Sequence, residues 1–335
     1  MFPYLLLSTQ QYIPLLAVFR NFAIRQIHWD EMSAIAGFDL TPDAGTTFRK
    51  IIDMDLMADL EKYETISICA TKQLMLEELL AKMTSEWDDV LFTIMLYKDS
   101  GVNILTQLDD IHALLEEHIV KVQAMRGSAF VKLIEEEVKN FYVLLHRIQS
   151  TIDEWAKVQI QWMYLLPIFS SKDIVAQLPD EEVLFVQVDR IFRSAMSGLS
   201  RDPRVRETAG SASITSIVGL LEIMQEANEL MEKVNDGVLN YLELKRLFFP
   251  RFFFLSNDDM LEILSETKEP LRVQPHLRKC FEGINRLRFN EVMDICSMFS
   301  EDYEEVRMQE EISTAAARGC VERWLFQVRN LFIEI

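Results

Sequence analysis

Histidines and carboxylates that recur on one helix face are the usual route to a metal centre. The nearest approach to that pattern is His112…Glu116-Glu117-His118. Six residues turn the second imidazole about 240° around a helix from the first, so the two cannot share an ion as an i, i+4 pair would. Both are expected to be surface histidines. The acidic runs Asp88-Asp89, Asp109-Asp110 and Glu135-Glu136-Glu137 carry the charge that Ca²⁺ takes. They lack alternating oxygen ligands around a central Gly and read as solvated helix faces. Cys69, Cys280, Cys296 and Cys320 form no CxxC pair, which predicts buried, reduced thiols and no zinc or other metal site. Neither GxxxxGK[ST] nor GxGxxG occurs, no Ser or Cys sits in a nucleophile elbow, and no catalysis is expected from these residues.

The aromatic residues are more informative. His28-Trp29, Trp155, Trp162, Phe169 and the run Phe248-Phe249-Pro250-Arg251-Phe252-Phe253-Phe254 form dense groups. Trp155 and Trp162, seven apart, share one helix face. Two uses stand open for each: packing between helices, or docking on another body, since aromatics and Arg are favoured interface anchors. The docking candidates are Trp29, Trp155, Trp162, Phe169, Pro250, Arg251, Phe252, Phe253 and Phe254.

These side chains must be held by helices. Gly37 to Thr47 reads as a loop, after which apolar spacing predicts helix from Phe48 to about Lys98, stopped by Asp99-Ser100-Gly101. A second helix is expected from Ile104 to about Met125, broken at Gly127. A third runs from about Phe130 to Tyr164, with Pro167 at its exit. Pro179 suits a first helical position, with Asp180, Glu181 and Glu182 against the positive end of the dipole and Gly198 as its C′ residue. After an Arg/Pro/Gly-rich loop (200–210), a long helix spans about Ile214 to Leu247 and Pro250 ends it. Ser256-Asn257-Asp258-Asp259 matches an N-cap with an acidic partner, opening a helix to about Glu266. Pro270 and Pro275 bracket an extended connector. Residues 292–312 could hold two short strands, and a last helix covers about Cys320 to Phe332. The fold class is all-α, with at most a small β-hairpin near the C-terminal end.

Composition agrees. Gly (10) and Pro (9) are scarce in 335 residues, and 49% are apolar, including 21 Phe and 16 Met. Such a chain builds long helices and a large core, which excludes a disordered acidic chain. With 34 Lys plus Arg against 53 Asp plus Glu the net charge is −19, which argues against nucleic acid as a partner. The uncharged first 19 residues, interrupted by Ser8-Thr9-Gln10-Gln11 and Pro14, read as a buried apolar lead-in. They fit neither a signal peptide nor a membrane helix.

Several segments together resemble the linker region of dynein heavy chains, most closely the axonemal, inner-arm kind. They are Ile27-His28-Trp29, Trp155-x-x-x-Gln159-x-x-Trp162-Met-Tyr-Leu-x-Pro167-Ile-Phe169-Ser, and Gln177-Leu-Pro179-x-Glu. Tyr241-Leu-Glu-Leu-Lys245-Arg246-Leu-Phe-Phe-Pro250-Arg251-Phe-Phe-Phe-Leu-Ser256-Asn257-Asp258, Val273-Gln274-Pro275-His276-Leu and Lys279-Cys280-Phe281-Glu282 complete the set. The resemblance is collinear from about residue 27 to 330, which makes 27–335 a linker-like helical domain and leaves 1–26 as a divergent apolar lead-in. It implies an elongated, arched stack of helical bundles that docks on the AAA+ ring of the same heavy chain. In the family this element is the lever that transmits an ATP-driven swing for microtubule-based movement in cilia, in the cytoplasm, cytoskeleton and axoneme. ATP and Mg bind the ring, so no cofactor is expected in this chain. Dynein intermediate and light chains are expected as indirect partners through a tail that this chain lacks. No membrane is expected, and no direct microtubule contact, because tubulin tails are acidic and −19 of charge is repelled from them. Candidate joints are Gly127, Pro167 and Gly198 to Gly210. The competing expectation is a free helical scaffold that binds another protein through an aromatic patch.

Overall fold

The computed structural model describes residues 11–43, 45–210, 219–265, 270–317 and 320–333. In chain order the first helices are α1 (Ile13–Phe19), α2 (Gln26–Ala36), α3 (Phe48–Asp53) and α4 (Leu60–Glu86). A hairpin of β1 (Thr93–Leu96) and β2 (Asn103–Thr106) follows, then α5 (Asp109–Arg126) and α6 (Glu135–Ser170). Next come α7 (Lys172–Val175), α8 (Pro179–Arg201), α9 (Val205–Ala209) and α10 (Leu220–Phe248). The remainder is α11 (Asn257–Ser265), α12 (Leu277–Cys280), β3 (Arg286–Phe289), β4 (Ile295–Phe299), β5 (Glu305–Ile312) and α13 (Val321–Ile333). The chain is mostly helical, as composition required, with small antiparallel sheets. No helix among the described residues is long and apolar enough to cross a membrane.

Two compact units divide the chain. The first comprises Met1–Thr93, Gln107–Gln149 and Pro203–Gly210. Its apolar cluster joins Leu15 and Val18 of α1, Trp29 and Met32 of α2, Leu40, Ile51, Leu56 and Tyr63. Gly37 closes α2 with φ +79, a left-handed cap that a Cβ would strain. Thr47 caps α3 by accepting from the Lys50 N–H. Asn21 ties the α1–α2 turn to α4, its amide reaching Ser67 Oγ and Thr71 Oγ1, each at 2.8 Å.

The second unit comprises Ile94–Thr106, Ser150–Asp202 and Ser211–Ile335. Its core is where α8 and α10 run side by side. Phe185, Val188, Phe192, Met196 and Leu199 form a buried stripe on α8, at the three- and four-residue spacing of one helix face. Met224, Ala227, Met231, Val234 and Val238 do the same on α10. Pro179 occupies the first turn of α8, where its missing N–H costs nothing, with three acids beside it. β3, β4 and β5 pair antiparallel in that order, with Leu287 opposite Met298 and Ser297 opposite Arg307. The two strands expected in 292–312 are β4 and β5, and β3 adds a third.

Several boundaries differ from the sequence reading. Helix was expected through Lys98 and again from Ile104, but 93–106 is a hairpin. Asp99-Ser100-Gly101 is its turn: Lys98 (φ 44) and Gly101 (φ 68) are left-handed, and the Tyr97 N–H donates to Val102 O at 2.9 Å. A stop signal looks the same at a helix end and in a hairpin loop. Pro167 lies inside α6, within its last turn, and Gly198 lies inside α8. Gly127 does close α5. The 200–210 loop contains α9, and Pro270–His276 is a 3₁₀ turn in place of an extended connector. Ile214, Ile217 and Val218 of the expected long helix lie outside the described residues, as does most of the uncharged lead-in.

Candidate docking surface

The aromatic candidates fall into two groups. Trp29 is buried in the first unit, its ring 5.4 Å from that of Phe19. In the second unit Trp155 and Trp162 are fully buried. Trp162 Nε1 donates to Asp189 Oδ1 at 2.8 Å, and its ring stacks on Phe192 at 4.6 Å. Phe169 is half-buried and stacks on Phe185 at 4.7 Å. These four pack inside the chain.

The Pro250 run is different, and a change of helical period explains it. Pro250 has no N–H to continue α10, so the chain tightens into a 3₁₀ turn over Pro250–Phe254. At three residues per turn, side chains three apart share a face. Phe249, Phe252 and Leu255 therefore point inward and are buried. Phe249 meets Phe252 edge-on at 5.0 Å and lies 5.9 Å from Phe281. The other two registers face solvent, with Phe253 59% and Phe254 74% exposed, alongside Pro250 and half-buried Arg251. Leu244, Leu247 and Phe248 at the end of α10 are also exposed.

Arg251 is held from two sides. Its Nη1 donates to Cys280 O at 2.8 Å, and its guanidinium lies 5.0 Å from the Phe281 ring centre. Together with Pro250 and Phe254 it lines a groove of about 600 Å³ whose other walls are Arg278, Lys279, Cys280, Glu282 and Arg329. Burial pushes the Cys280 thiol up to about 12, so it is not a nucleophile. Cys69, Cys296 and Cys320 are only half-buried, a correction to the expected buried thiols; all four cysteines are free.

Next to the groove, one cluster has the composition of a metal site. One ligand atom each from Asp259, Glu262 and His276 lies within 4.8 Å of the other two. His276 faces Asp259 at 3.7 Å through Nδ1 and Glu262 at 3.3 Å through Nε2. Asp259 already has a cation, accepting from Lys279 Nζ at 2.7 Å, and also accepts from Ser256 Oγ at 2.8 Å. The Lys279 bond, then that of Ser256, holds its carboxyl below the usual range. The arrangement is an ion-pair network that fastens the start of α11. Ser256 Oγ also accepts from the Asp259 N–H, so the N-cap read from sequence is formed. Further along, Lys245 and Glu322 make a buried ion pair at 2.5 Å between α10 and α13.

Sequence reasoning missed what joins distant segments. His118 was expected at the surface, yet it is buried in the first unit. Its Nδ1 accepts from Trp87 Nε1 at 3.0 Å, and its Nε2 lies 3.1 Å from Glu86. Gln159 clamps β2: its amide accepts from the Leu105 N–H at 2.7 Å and donates to Leu105 O at 2.9 Å. The cationic groove takes its arginines from three separate stretches, so no local motif announces it.

The family described as "Dynein heavy chain, N-terminal region 2" matches residues 5–333. The chain is 52% identical over 310 residues to the mouse protein "Dynein axonemal heavy chain 12" and 53% identical to its human counterpart, in each case covering 92% of this chain. It is 44% identical over 324 residues, 97% of its length, to human "Dynein axonemal heavy chain 3". The chain spans about a tenth of the length of these relatives, 10% and 8% respectively. With the family's pattern matched along nearly its whole length, this chain belongs to the dynein heavy chains, in their N-terminal region 2.

Proposed function

We propose that the chain is the mechanical linker of an axonemal-type dynein heavy chain, docking on the AAA+ ring and transmitting its nucleotide-driven swing. The observation that carries this reading is identity above 50% over 92% of the chain to proteins named as axonemal heavy chains. Helix length supports it. α4 has 27 residues, α10 has 29 and α6 has 36, or about 40, 44 and 54 Å at about 1.5 Å per residue. Helices this long, packed along apolar stripes, resist bending and give way mainly where they end. Pro250, Arg251, Phe253 and Phe254 form the docking surface, while buried Phe252, Trp155 and Trp162 and half-buried Phe169 pack within the same unit and Trp29 packs within the other. ATP and Mg bind the ring, and this region contributes no phosphate loop. Intermediate and light chains are reached through the tail, and the site of action is the ciliary axoneme.

The test adds this polypeptide to a motor ring that lacks its linker and measures microtubule gliding. Restored gliding, even if slow, is the expected result. Normal gliding by the linkerless ring alone would sink the lever. The exposed Leu244, Leu247, Phe248, Phe253 and Phe254 favour a second reading, a free scaffold. Failure to bind the ring, with stable capture of a protein unrelated to dynein, would select it.

A further inference from the structure

We propose that the groove beside Pro250–Phe254 binds a short acidic segment of a partner protein. It sets Asp or Glu carboxylates against Arg251 and Arg329 and an apolar side chain against Phe254. The inference rests on reading this motif as a docking surface, but not on any lever motion.

Charge carries the argument. The chain has a net charge of −19, yet this groove presents Arg251, Arg278, Lys279 and Arg329 against one lining carboxylate, Glu282. Lys279 is paired with Asp259 at 2.7 Å and Arg278 with Glu301 at 3.4 Å. The Arg278 pair is exposed and worth about 0–1 kcal/mol, so an incoming carboxylate can exchange into it, while Lys279 stays on half-buried Asp259 and adds its charge to the field. Arg251 and Arg329 make no ion pair among the described residues. Aromatic rings hold them instead, Arg251 over Phe281 at 5.0 Å and Arg329 over Phe326 at 5.7 Å. A guanidinium already fixed loses little freedom on binding, and its remaining donors suit the two oxygens of a carboxylate.

Shape and field choose among anions. Phe254, mostly exposed, and Pro250 offer apolar contact that an inorganic anion cannot use, and Arg beside an aromatic is the usual composition of an interface anchor. A long polyanion or an anionic membrane would meet the repulsion of the whole acidic surface. A segment of a few residues stays within about one Debye length, roughly 8–10 Å, of the groove's cations.

Fluorescence anisotropy on the full chain tests this with two labelled peptides, Glu-Glu-Leu-Glu-Glu-Phe-Glu and its counterpart with every Glu replaced by Gln. The acidic peptide should bind at least about tenfold tighter at low salt. Arg329→Gln should weaken it about five- to tenfold, and Phe254→Ala by a similar factor with the salt dependence unchanged. Arg251→Gln also removes the bond to Cys280, so Arg329→Gln is the deciding variant, with melting checked alongside. Equal affinity for both peptides, or an Arg329→Gln chain that melts and binds as before, overturns the proposal. So does complete displacement by millimolar inorganic phosphate, the mark of a small-anion site. Arg329-dependent binding to phosphatidylserine vesicles with no peptide binding also overturns it, as a membrane site. The docking reading fails separately: Phe253→Ala, outside the groove, should weaken capture by the ring whatever the peptides do.

Discussion

His118 shows how much one residue depends on its neighbours. Trp87 Nε1 donates to its Nδ1, which fixes the neutral tautomer with the Nε2–H toward Glu86. An imidazolium would set two N–H groups against each other. Burial is the largest influence and pushes the imidazole below its usual value, while the Glu86 carboxylate pulls the other way and loses. Between that lowered value and the unfolded value of about 6.5, the unfolded chain binds more protons, so stability rises with pH through this window. Urea midpoints should therefore fall as pH drops from 7.5 to 5.5. In His118→Gln, which cannot titrate, that slope should flatten. An unchanged slope would mean that other groups set the acid sensitivity.

At the scale of elements, the hairpin of β1 and β2 has two short strands, and an isolated pair of that kind is marginal in water. Here Gln159, on α6, stands in for a further strand by bonding both the N–H and the C=O of buried Leu105. Gln159→Leu keeps the volume and strands both backbone groups, at about 1–3 kcal/mol each. We expect a loss of at least about 2 kcal/mol, measured by chemical denaturation, with amide exchange at Leu105 accelerated. A loss below about 0.5 kcal/mol would mean that the clamp is incidental. The same dependence explains why the hairpin was illegible: 93–106 alternates too briefly to outweigh the helical pattern on either side.

For the whole molecule, net charge is the property with a direct consequence. At −19 the chain should not follow acidic tubulin tails, even at low salt where attraction and repulsion reach furthest. In a sedimentation assay with polymerised microtubules it should stay in the supernatant at 50 mM salt. Salt-sensitive pelleting would show that the local cationic groove outweighs the global field. On the proposed reading, the acidic surface keeps the chain off the track and the cationic groove selects a partner.

Three things were readable from sequence alone because each depends on near neighbours. Low Gly and Pro with three- and four-residue apolar spacing required long helices. Pro179 with its three acids, and Ser256 with Asp259, marked two helix starts. The long collinear motifs identified the family. Tertiary structure decided the rest. Trp155 and Trp162 share a stripe whether or not another helix covers it, and only packing buries both. In the run Phe248–Phe254, Pro250 marks the end of a helix of about 3.6 residues per turn but not the 3₁₀ turn, of period about 3.0, that follows it. That change sends Phe249 and Phe252 inward and Phe253 and Phe254 outward. Burial and local charge belong to contacts between residues far apart in the chain, so no window of sequence contains them.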